Sequence, residues 1–295
     1  MTDSGCNVCP RGCGANRAAG EKGFCSAGLL PVVARAAAHY WEEPCISGER
    51  GSGAVFFSGC ALKCVYCQNY QISYQIIGTE LTPSRLREVI DRLVDTGVHN
   101  INLVNPTHYR DAILEALEKP LPVPVVYNCG GYESIETLRM FDGIIDIYLP
   151  DYKYSDDSLA ERFSCAPDYS ERAGEAIFEM YRQTGPYKFD RDGLMRSGLI
   201  VRHLMLPGHV ENTVGAIRWF ARNFVKGEAK FSLMRQYIPC GNADRYPELT
   251  RRLTESEYAA AEQSLLDFGI EDGYVQDVES ASDAYVPQFD CTGVF

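Results

Sequence analysis

Residues 53–58 have the sequence Gly53-Ala54-Val55-Phe56-Phe57-Ser58, a short apolar run within a chain of 295 residues. β-Branched and aromatic residues between glycines predict a strand that is buried on both faces. Five further runs of this kind follow along the chain, at residues 100–104, 123–127, 144–149, 199–205 and 230–235. Together the six runs predict one sheet in the core of the protein.

Helical patterns separate the predicted strands. The clearest starts at Thr82, an N-cap residue, and Pro83, because proline is favoured at the first helical position. Weaker patterns cover residues 108–119, 133–141, 169–184, 211–225 and 254–267. Six strand–helix units predict a parallel sheet with helices outside, either as an incomplete barrel or as an open, doubly wound sheet. In both arrangements the functional site lies at the carboxyl ends of the strands.

The first 45 residues do not follow this pattern. They contain Cys6, Cys9, Cys13 and Cys25 among many glycines and alanines, with one plausible short helix at residues 32–40. We therefore predict two domains, a cysteine-rich metal-binding lobe at residues 1–45 and the strand–helix domain at residues 46–295. The spacing of the four cysteines suits a structural zinc ion or a second iron–sulfur cluster, and the absence of any metal is the third alternative.

The charge balance excludes some classes of function. The chain has 40 acidic and 28 basic residues, and its formal net charge of −12 is unfavourable for binding to nucleic acid or to an anionic membrane. No apolar run reaches the roughly 18 residues of a membrane span. The first residues lack a basic segment followed by an apolar one, so we expect no secretory signal. We therefore expect a cytoplasmic protein.

Three of the twelve cysteines lie directly after the first predicted strand, in the pattern Cys60-x3-Cys64-x2-Cys67. A cytosolic chain is kept reduced, so clustered cysteines indicate metal binding or redox chemistry rather than disulfides. Three thiolates on one tight loop are typical of an iron–sulfur cluster, and a four-iron cluster held in this way keeps one iron open to another ligand. The alternative is a structural zinc site that takes a fourth cysteine from elsewhere.

This triad, with Tyr66 before its last cysteine, resembles the signature of radical S-adenosylmethionine (SAM) enzymes, and the resemblance extends over residues 46–275. It implies that Cys60, Cys64 and Cys67 hold a 4Fe-4S cluster and that SAM binds the open iron. An electron from the cluster then cleaves SAM to a 5′-deoxyadenosyl radical, which abstracts a hydrogen atom. We therefore predict an α/β fold, a partial (β/α)6 barrel of parallel strands with a small N-terminal cysteine-rich lobe.

The same resemblance implies SAM contacts at the other strand ends. Asp151 and Lys153 are similar to the Asp-x-Lys motif of glycyl-radical-enzyme activating enzymes, which helps to hold the carboxylate end of SAM. Arg202 lies on a fifth strand that ends in Pro-Gly, as in the family, and its fork geometry suits a ribose or a carboxylate. The remaining predicted contacts are Tyr66, Asn105, Thr107 and Asn128.

One strand end departs from the family. The Gly-Gly-Glu motif expected after the second strand is replaced by Asn105-Pro106-Thr107-His108. Backbone carbonyls and the oxygens of Asn105 or Thr107 can still accept from the ammonium group of SAM. The identity of the individual contacts at this strand end therefore stays open.

Two further runs, Cys67-Gln68-Asn69-Tyr70 and Trp41-Glu42-Glu43-Pro44, resemble a subgroup like pyruvate formate-lyase activating enzyme. This implies an oxidoreductase that generates a glycyl radical on a partner enzyme, with an electron from a reductant such as flavodoxin or ferredoxin. Two alternatives stay open: a radical SAM enzyme acting on a small molecule or another macromolecule, and a non-enzymatic metal-binding or electron-transfer protein. No side chain is singled out as catalytic, because the cofactors supply the chemistry.

Overall fold

The computed structural model of the protein describes residues 5–276 and 287–295. These residues contain a ten-stranded sheet. Its strands are β1 (Val32–His39), β2 (Ser52–Phe57), β3 (Thr79–Glu80), β4 (Ile101–Val104), β5 (Val125–Cys129), β6 (Ile147–Pro150), β7 (Lys188–Phe189), β8 (Met195–Leu204), β9 (Lys230–Met234) and β10 (Gly273–Val275).

The strand order across the sheet is β10-β9-β8-β6-β5-β4-β2-β1-β3, and β7 pairs with β8 outside this path. The strands from β2 to β10 along this path pair in parallel. The parallel strands follow one another across the sheet in the order of the chain, without the reversal that a doubly wound sheet has, and the path ends at β10 and β3 without closing, so these strands form a partial barrel. The predicted α/β fold is therefore confirmed, and the six predicted strands correspond to β2, β4, β5, β6, β8 and β9.

Helices connect the parallel strands. They are α1 (Pro44–Ser47), α2 (Tyr70–Tyr74), α3 (Pro83–Asp95), α4 (Arg110–Ala116), α5 (Ile135–Met140), α6 (Asp157–Ser164), α7 (Tyr169–Thr184), α8 (Val210–Asn223) and α9 (Glu255–Asp267). Short 3-10 helices occupy Arg17–Ala19, Thr107–Tyr109, Ala243–Arg245 and Pro247–Thr250. Among the described residues, none of the helices combines the length and the apolar composition that crossing a membrane requires.

The helix α3 begins where its sequence predicts. The Thr82 hydroxyl accepts a hydrogen bond from the backbone N–H of Arg85, and Pro83 occupies the first helical position. The apolar face of the helix, which includes Leu86 and Ile90, is buried against the sheet. Burial of this face stabilises the helix more than the intrinsic helix propensity of its residues does.

The short helix predicted at residues 32–40 is wrong. Residues 32–39 form β1, which pairs antiparallel with β2 and with β3. This segment is rich in alanine and so has a high local helix propensity. Pairing with β2 satisfies its backbone groups and outweighs that local preference. The strand belongs to the main sheet, and the division of the chain into two domains at residue 45 stays a prediction.

The inside of the barrel is apolar at one end and polar at the other. Near the amino ends of the strands, Cys45 and Ile46 of α1 pack among Ile147, Leu149 and Ile200. Side chains on a strand alternate between its two faces, so the next inward-facing residue after Ile147 and Leu149 is Asp151. The carboxyl end of the barrel therefore presents polar side chains, whereas apolar side chains fill the amino end.

Candidate functional site

A cavity of about 240 Å³ opens at the carboxyl ends of the parallel strands. The three triad cysteines line it, together with most of the residues for which we predict SAM contacts. The predicted residues in the cavity wall are Cys60, Cys64, Tyr66, Cys67, Asn105, Asn128, Asp151, Lys153 and Arg202. Residues 90 or more positions apart in the sequence thus meet in one place, because parallel strands end at the same edge of the sheet.

The cysteine loop follows β2 and turns sharply at two positions. Gly59 has φ of +91°, and a Cβ at this position would lie 2.7 Å from the carbonyl oxygen of Cys25. Only glycine fits such a position without strain. Lys63, between the first two triad cysteines, also has a left-handed backbone, with φ of +52°. These two turns bring the thiols of the loop towards the cavity.

Two of the triad thiols, those of Cys60 and Cys67, lie in surroundings that disfavour a free thiolate. Burial, with the charge of Cys64 as the second cause, raises the pKa of the Cys60 thiol. The same causes raise the pKa of Cys67 to about 12. Thiols of this kind lose their protons when a metal centre binds, because the metal supplies the missing positive charge. The donor set is therefore suited to a metal cluster rather than to a free nucleophile.

Within residues 5–276 and 287–295, no three His, Cys, Asp or Glu side chains converge as a single metal ion would require. The triad thiolates of an iron–sulfur cluster bind different iron atoms, so they need not converge on one point. This arrangement of side chains is therefore compatible with a cluster bound by the triad. It gives no support to a zinc site at either group of cysteines.

Asp151 and Lys153 form a buried ion pair beside the triad. Lys153 Nζ donates to Asp151 Oδ2, and both side chains are about six-sevenths buried. Burial would raise the pKa of Asp151, but Arg202 and Lys153 together hold it below its ordinary value. Burial would lower the pKa of Lys153, but the Asp151 carboxylate outweighs this and raises it. Both groups are thus kept ionised, and their burial distinguishes them from an exposed surface ion pair, which contributes little energy.

Arg202 continues this row of charges into the barrel. Its Nε donates to Asp151 Oδ1 over 2.9 Å, and its Nη1 donates to Glu42 Oε2 over 3.0 Å. Its Nη2 donates to Asn128 Oδ1 over 2.6 Å. The row Lys153–Asp151–Arg202–Glu42 therefore alternates in charge from the cavity into the barrel.

Glu42 is a residue of this site that the sequence analysis quoted but did not assign. It lies on the loop between β1 and α1 and lines the cavity. Burial raises its pKa, whereas Arg202 and the Asn102 amide act in the opposite direction. The available signal was the acidic pair Glu42-Glu43 beside an apolar segment, but nothing in its spacing identified Arg202 as the partner.

The other predicted SAM contacts differ in their surroundings. The Tyr66 hydroxyl donates to the Tyr154 hydroxyl over 2.7 Å, so this ring is held at the cavity wall. Asn105 has a left-handed backbone with φ of +60°, and its Nδ2 donates to the Gly59 carbonyl oxygen of the cysteine loop. Thr107 lies behind the wall, where its hydroxyl donates to Glu133 Oε1 over 2.8 Å. At this strand end the structure brings Asn105 to the cavity and turns Thr107 towards the helix layer.

The four lobe cysteines lie in different surroundings. Cys25 is buried, Cys6 and Cys9 are partly buried, and Cys13 is exposed. Burial raises the pKa of Cys9 to about 12. The predicted metal in the lobe stays a prediction.

The lobe contacts the cysteine loop directly. Arg11 Nε donates to the Ala61 carbonyl oxygen over 2.8 Å, and Arg11 Nη2 donates to that of Ser164 over 2.8 Å. Lys63 Nζ donates to Ser26 Oγ over 2.9 Å. These bonds hold the cysteine loop from its outer side.

Residues 54–180 match the model of the Radical SAM superfamily. This part of the chain is a radical SAM domain. It contains the triad, Asn105, Asn128, Asp151 and Lys153, whereas Glu42 and Arg202 lie outside the matched residues. The radical SAM domain implies a 4Fe-4S cluster and SAM as cofactors, and the prediction of the family is confirmed.

Several known proteins are similar to this chain in sequence or in fold. An uncharacterized protein of Methanocaldococcus jannaschii is 29% identical over 266 residues, which cover 87% of this chain and 72% of that protein. The crystal structure of methylornithine synthase (PylB) has a TM-score of 0.53 at 14% identity and covers 82% of this chain and 71% of that protein. Streptococcus suis SuiB bound to its precursor peptide SuiA has a TM-score of 0.51 at 11% identity over 75% of this chain. This chain spans about half of SuiB, 47% of its length.

The wall of the cavity is adapted to a bound group. A Cβ on Gly130 would lie 2.7 Å from Leu62 Cδ1 and 3.5 Å from Lys153 Cε, so a side chain there would intrude on the cavity. The predicted residues in the wall provide three thiols, an amine, a guanidinium, a carboxylate, a phenol and two side-chain amides. These residues fit a thiolate-bound cluster and a nucleotide that carries both an ammonium and a carboxylate group.

Proposed function

We propose that this protein is a radical SAM oxidoreductase that generates a glycyl radical on a partner enzyme. The observation that supports it best is that the three triad cysteines and the row Lys153–Asp151–Arg202 line one cavity. When bound, the cluster and SAM supply the one-electron cleavage that yields a 5′-deoxyadenosyl radical. A reductant such as flavodoxin or ferredoxin would supply the electron.

The residues of the chain bind and orient the cofactors. Cys60, Cys64 and Cys67 would hold three irons of the cluster. Lys153 and Arg202 are buried cations. Each has further N–H groups from which the carboxylate of SAM can accept a hydrogen bond. Asn105 and Asn128 offer amide groups to the polar edges of the nucleotide.

A protein substrate agrees with the fold. SuiB, which shares this fold, is described in complex with a precursor peptide. The cavity lies at the carboxyl ends of the strands of a barrel that is not closed. Trp41 in its wall is 59% exposed. Because one fold serves many substrates, this support comes from analogy of the fold alone.

The test is anaerobic incubation of the reconstituted protein with SAM, dithionite and a candidate glycyl radical enzyme, followed by electron paramagnetic resonance. We expect a doublet from a glycyl radical on the partner and one 5′-deoxyadenosine for each radical. The Cys60→Ala variant provides the control without a cluster. Formation of 5′-deoxyadenosine without a doublet on any partner would reject the glycyl radical and keep the radical SAM chemistry.

The end of β4 favours a second candidate, an enzyme acting on a small molecule or another macromolecule. Of the replaced motif Asn105-Pro106-Thr107-His108, Thr107 bonds to Glu133 behind the wall. This strand end therefore differs from the Gly-Gly-Glu motif of the family in the groups it offers. Transfer of deuterium from a labelled candidate substrate into 5′-deoxyadenosine would support this second function. Bound iron without any cleavage of SAM would favour a non-enzymatic metal-binding or electron-transfer protein.

A further inference from the structure

Glu42 receives N–H donors from three strands. Asn102 on β4 donates from Nδ2 to Oε1 over 3.0 Å, and Asn128 on β5 donates from Nδ2 to the same oxygen over 3.1 Å. Arg202 on β8 donates from Nη1 to Oε2 over 3.0 Å. A carboxylate accepts at both oxygens and offers no donor when ionised, which is what these three donors require.

Glu42, Asn128 and Arg202 form a closed ring of hydrogen bonds. Asn128 donates to Glu42, Arg202 donates to Glu42, and Arg202 Nη2 donates to Asn128 Oδ1 over 2.6 Å. Each member therefore fixes the orientation of the other two. The amide of Asn128 has one orientation in this ring, because exchanging its oxygen and nitrogen would set donors against Arg202.

The loop that carries Glu42 is itself held in place. The backbone N–H of Glu42 donates to Ser47 Oγ over 3.0 Å, and that of Ile46 donates to the Glu43 carbonyl oxygen over 2.8 Å. Asn100 Nδ2 donates to the Ile46 carbonyl oxygen over 2.8 Å and ties the loop to the sheet. A carboxylate on a fixed loop can hold a long, otherwise mobile arginine side chain in one orientation.

We propose that Glu42 is a positioning residue, which holds Arg202 and Asn128 in the orientation that binds the carboxylate end of SAM. This inference rests on the proposed function of the cavity as a SAM site. Glu42 acts through its neighbours and takes no part in the electron or hydrogen transfer. It belongs to the chain before residue 54, so a segment outside the matched radical SAM domain completes the nucleotide site.

The test is a double-mutant cycle on the anaerobic protein with an intact cluster. The variants are Glu42→Gln, Arg202→Gln and the double variant, and the probe is S-adenosylhomocysteine, which has no sulfonium to cleave. Binding is measured by calorimetry. We expect Glu42→Gln alone to weaken binding about tenfold, and to change it less than about twofold when Arg202 is already Gln.

Glu43→Gln is the matched control. Glu43 is the next residue, is also buried and also feels the charge of Arg202, but no ion pair joins it to Arg202 among the described residues, and its Oε2 has no hydrogen-bond partner there. Equal weakening by Glu42→Gln and Glu43→Gln would mean that only buried charge matters and would overturn the proposal. The proposal would also be overturned if Glu42→Gln weakened binding equally in the wild type and in the Arg202→Gln variant.

A spectroscopic measurement separates positioning from a loss of folding. SAM that coordinates the open iron alters the electron paramagnetic resonance spectrum of the reduced cluster, and in Glu42→Gln this change should need about ten times more SAM while its final form is kept. If Glu42→Gln does not fold, Glu42→Asp keeps the charge but is one methylene shorter, and it should show the same shift. An unchanged SAM requirement would overturn the inference. These outcomes do not depend on any partner, so they are distinct from a failure to find a glycyl radical.

Discussion

Arg202 and Glu42 are 160 residues apart in the sequence, and their side chains meet inside the barrel at 3.0 Å. The same guanidinium donates to Asp151 at 2.9 Å. One buried cation therefore joins the loop before the first parallel strand to the ends of the fourth and fifth. The four charges of the row balance one another, so removal of any one of them leaves a net buried charge.

Asp151→Asn tests this row. The substitution leaves both Lys153 and Arg202 without their shared carboxylate, so we expect the free energy of unfolding to fall by about 3–5 kcal/mol. Chemical denaturation measures this change. Asp111→Asn is the control, because Asp111 pairs with Arg110 while remaining largely exposed, and it should change stability by less than about 1 kcal/mol. Equal effects of the two substitutions would contradict the buried row.

Cys60→Ala should remove most of the iron bound at the triad and all cleavage of SAM, because one of three thiolate ligands is lost. Iron and sulfide analysis after anaerobic reconstitution measures the first effect, and chromatography of 5′-deoxyadenosine measures the second. Cys165→Ser is the matched control, since this thiol is exposed. Full iron content in Cys60→Ala would show that this cysteine is not a cluster ligand.

Arg11→Ala should loosen the cysteine loop from its outer side. The guanidinium donates to the carbonyl oxygens of Ala61 and Ser164, and it lies 4.1 Å from the centre of the Phe24 ring. We expect about 2 kcal/mol less stability and faster loss of iron to a chelator. Arg85→Ala removes an arginine from an exposed helical ion pair and should do neither. If Arg11→Ala loses iron at the wild-type rate, the contacts of Arg11 with the cysteine loop do not help to retain the cluster.

Glu133 should make stability fall as pH rises. Burial, opposed by hydrogen bonds from Thr107, Tyr127 and Cys129, raises its pKa from 4.5 to about 7. The unfolded chain loses this proton near pH 4.5 and the folded one near pH 7, so about 3 kcal/mol of stability present below pH 4.5 is lost by about pH 7. Denaturation at several pH values should show this decline in the wild type and a flatter profile in Glu133→Gln. Parallel profiles for the two proteins would refute the assignment.

Cys9→Ala addresses the metal of the lobe. If the lobe is structural, the variant should keep SAM cleavage while losing any zinc. If the lobe transfers electrons, the variant should stay folded and lose turnover. Metal analysis of the wild type at about four irons, or at about eight, distinguishes one cluster from two. Four irons without zinc in the wild type would leave the lobe cysteines without a metal.

The sequence was sufficient for the parallel strands and the cysteine loop, because both are local patterns. An apolar run such as residues 53–58 is buried wherever the sheet forms, and three cysteines within eight residues share a loop in any fold. Residues 32–39 show the limit of local patterns. Their alanines favour a helix in isolation, whereas the free edge of β2 makes a strand more stable.

Thr107 and Glu42 show the same limit at the site. From the sequence both Asn105 and Thr107 are candidate SAM contacts, but the turn into the 3-10 helix at Thr107–Tyr109 directs Thr107 towards Glu133. Nothing in the sequence around Glu42 identified Arg202 as its partner. Spacing along the chain determined which residues carry the chemistry, while the closing of the sheet decided which of them meet. The physical reason is that short-range periodicity depends on neighbouring residues, whereas a buried ion pair across 160 residues exists only once the barrel has removed both charges from water.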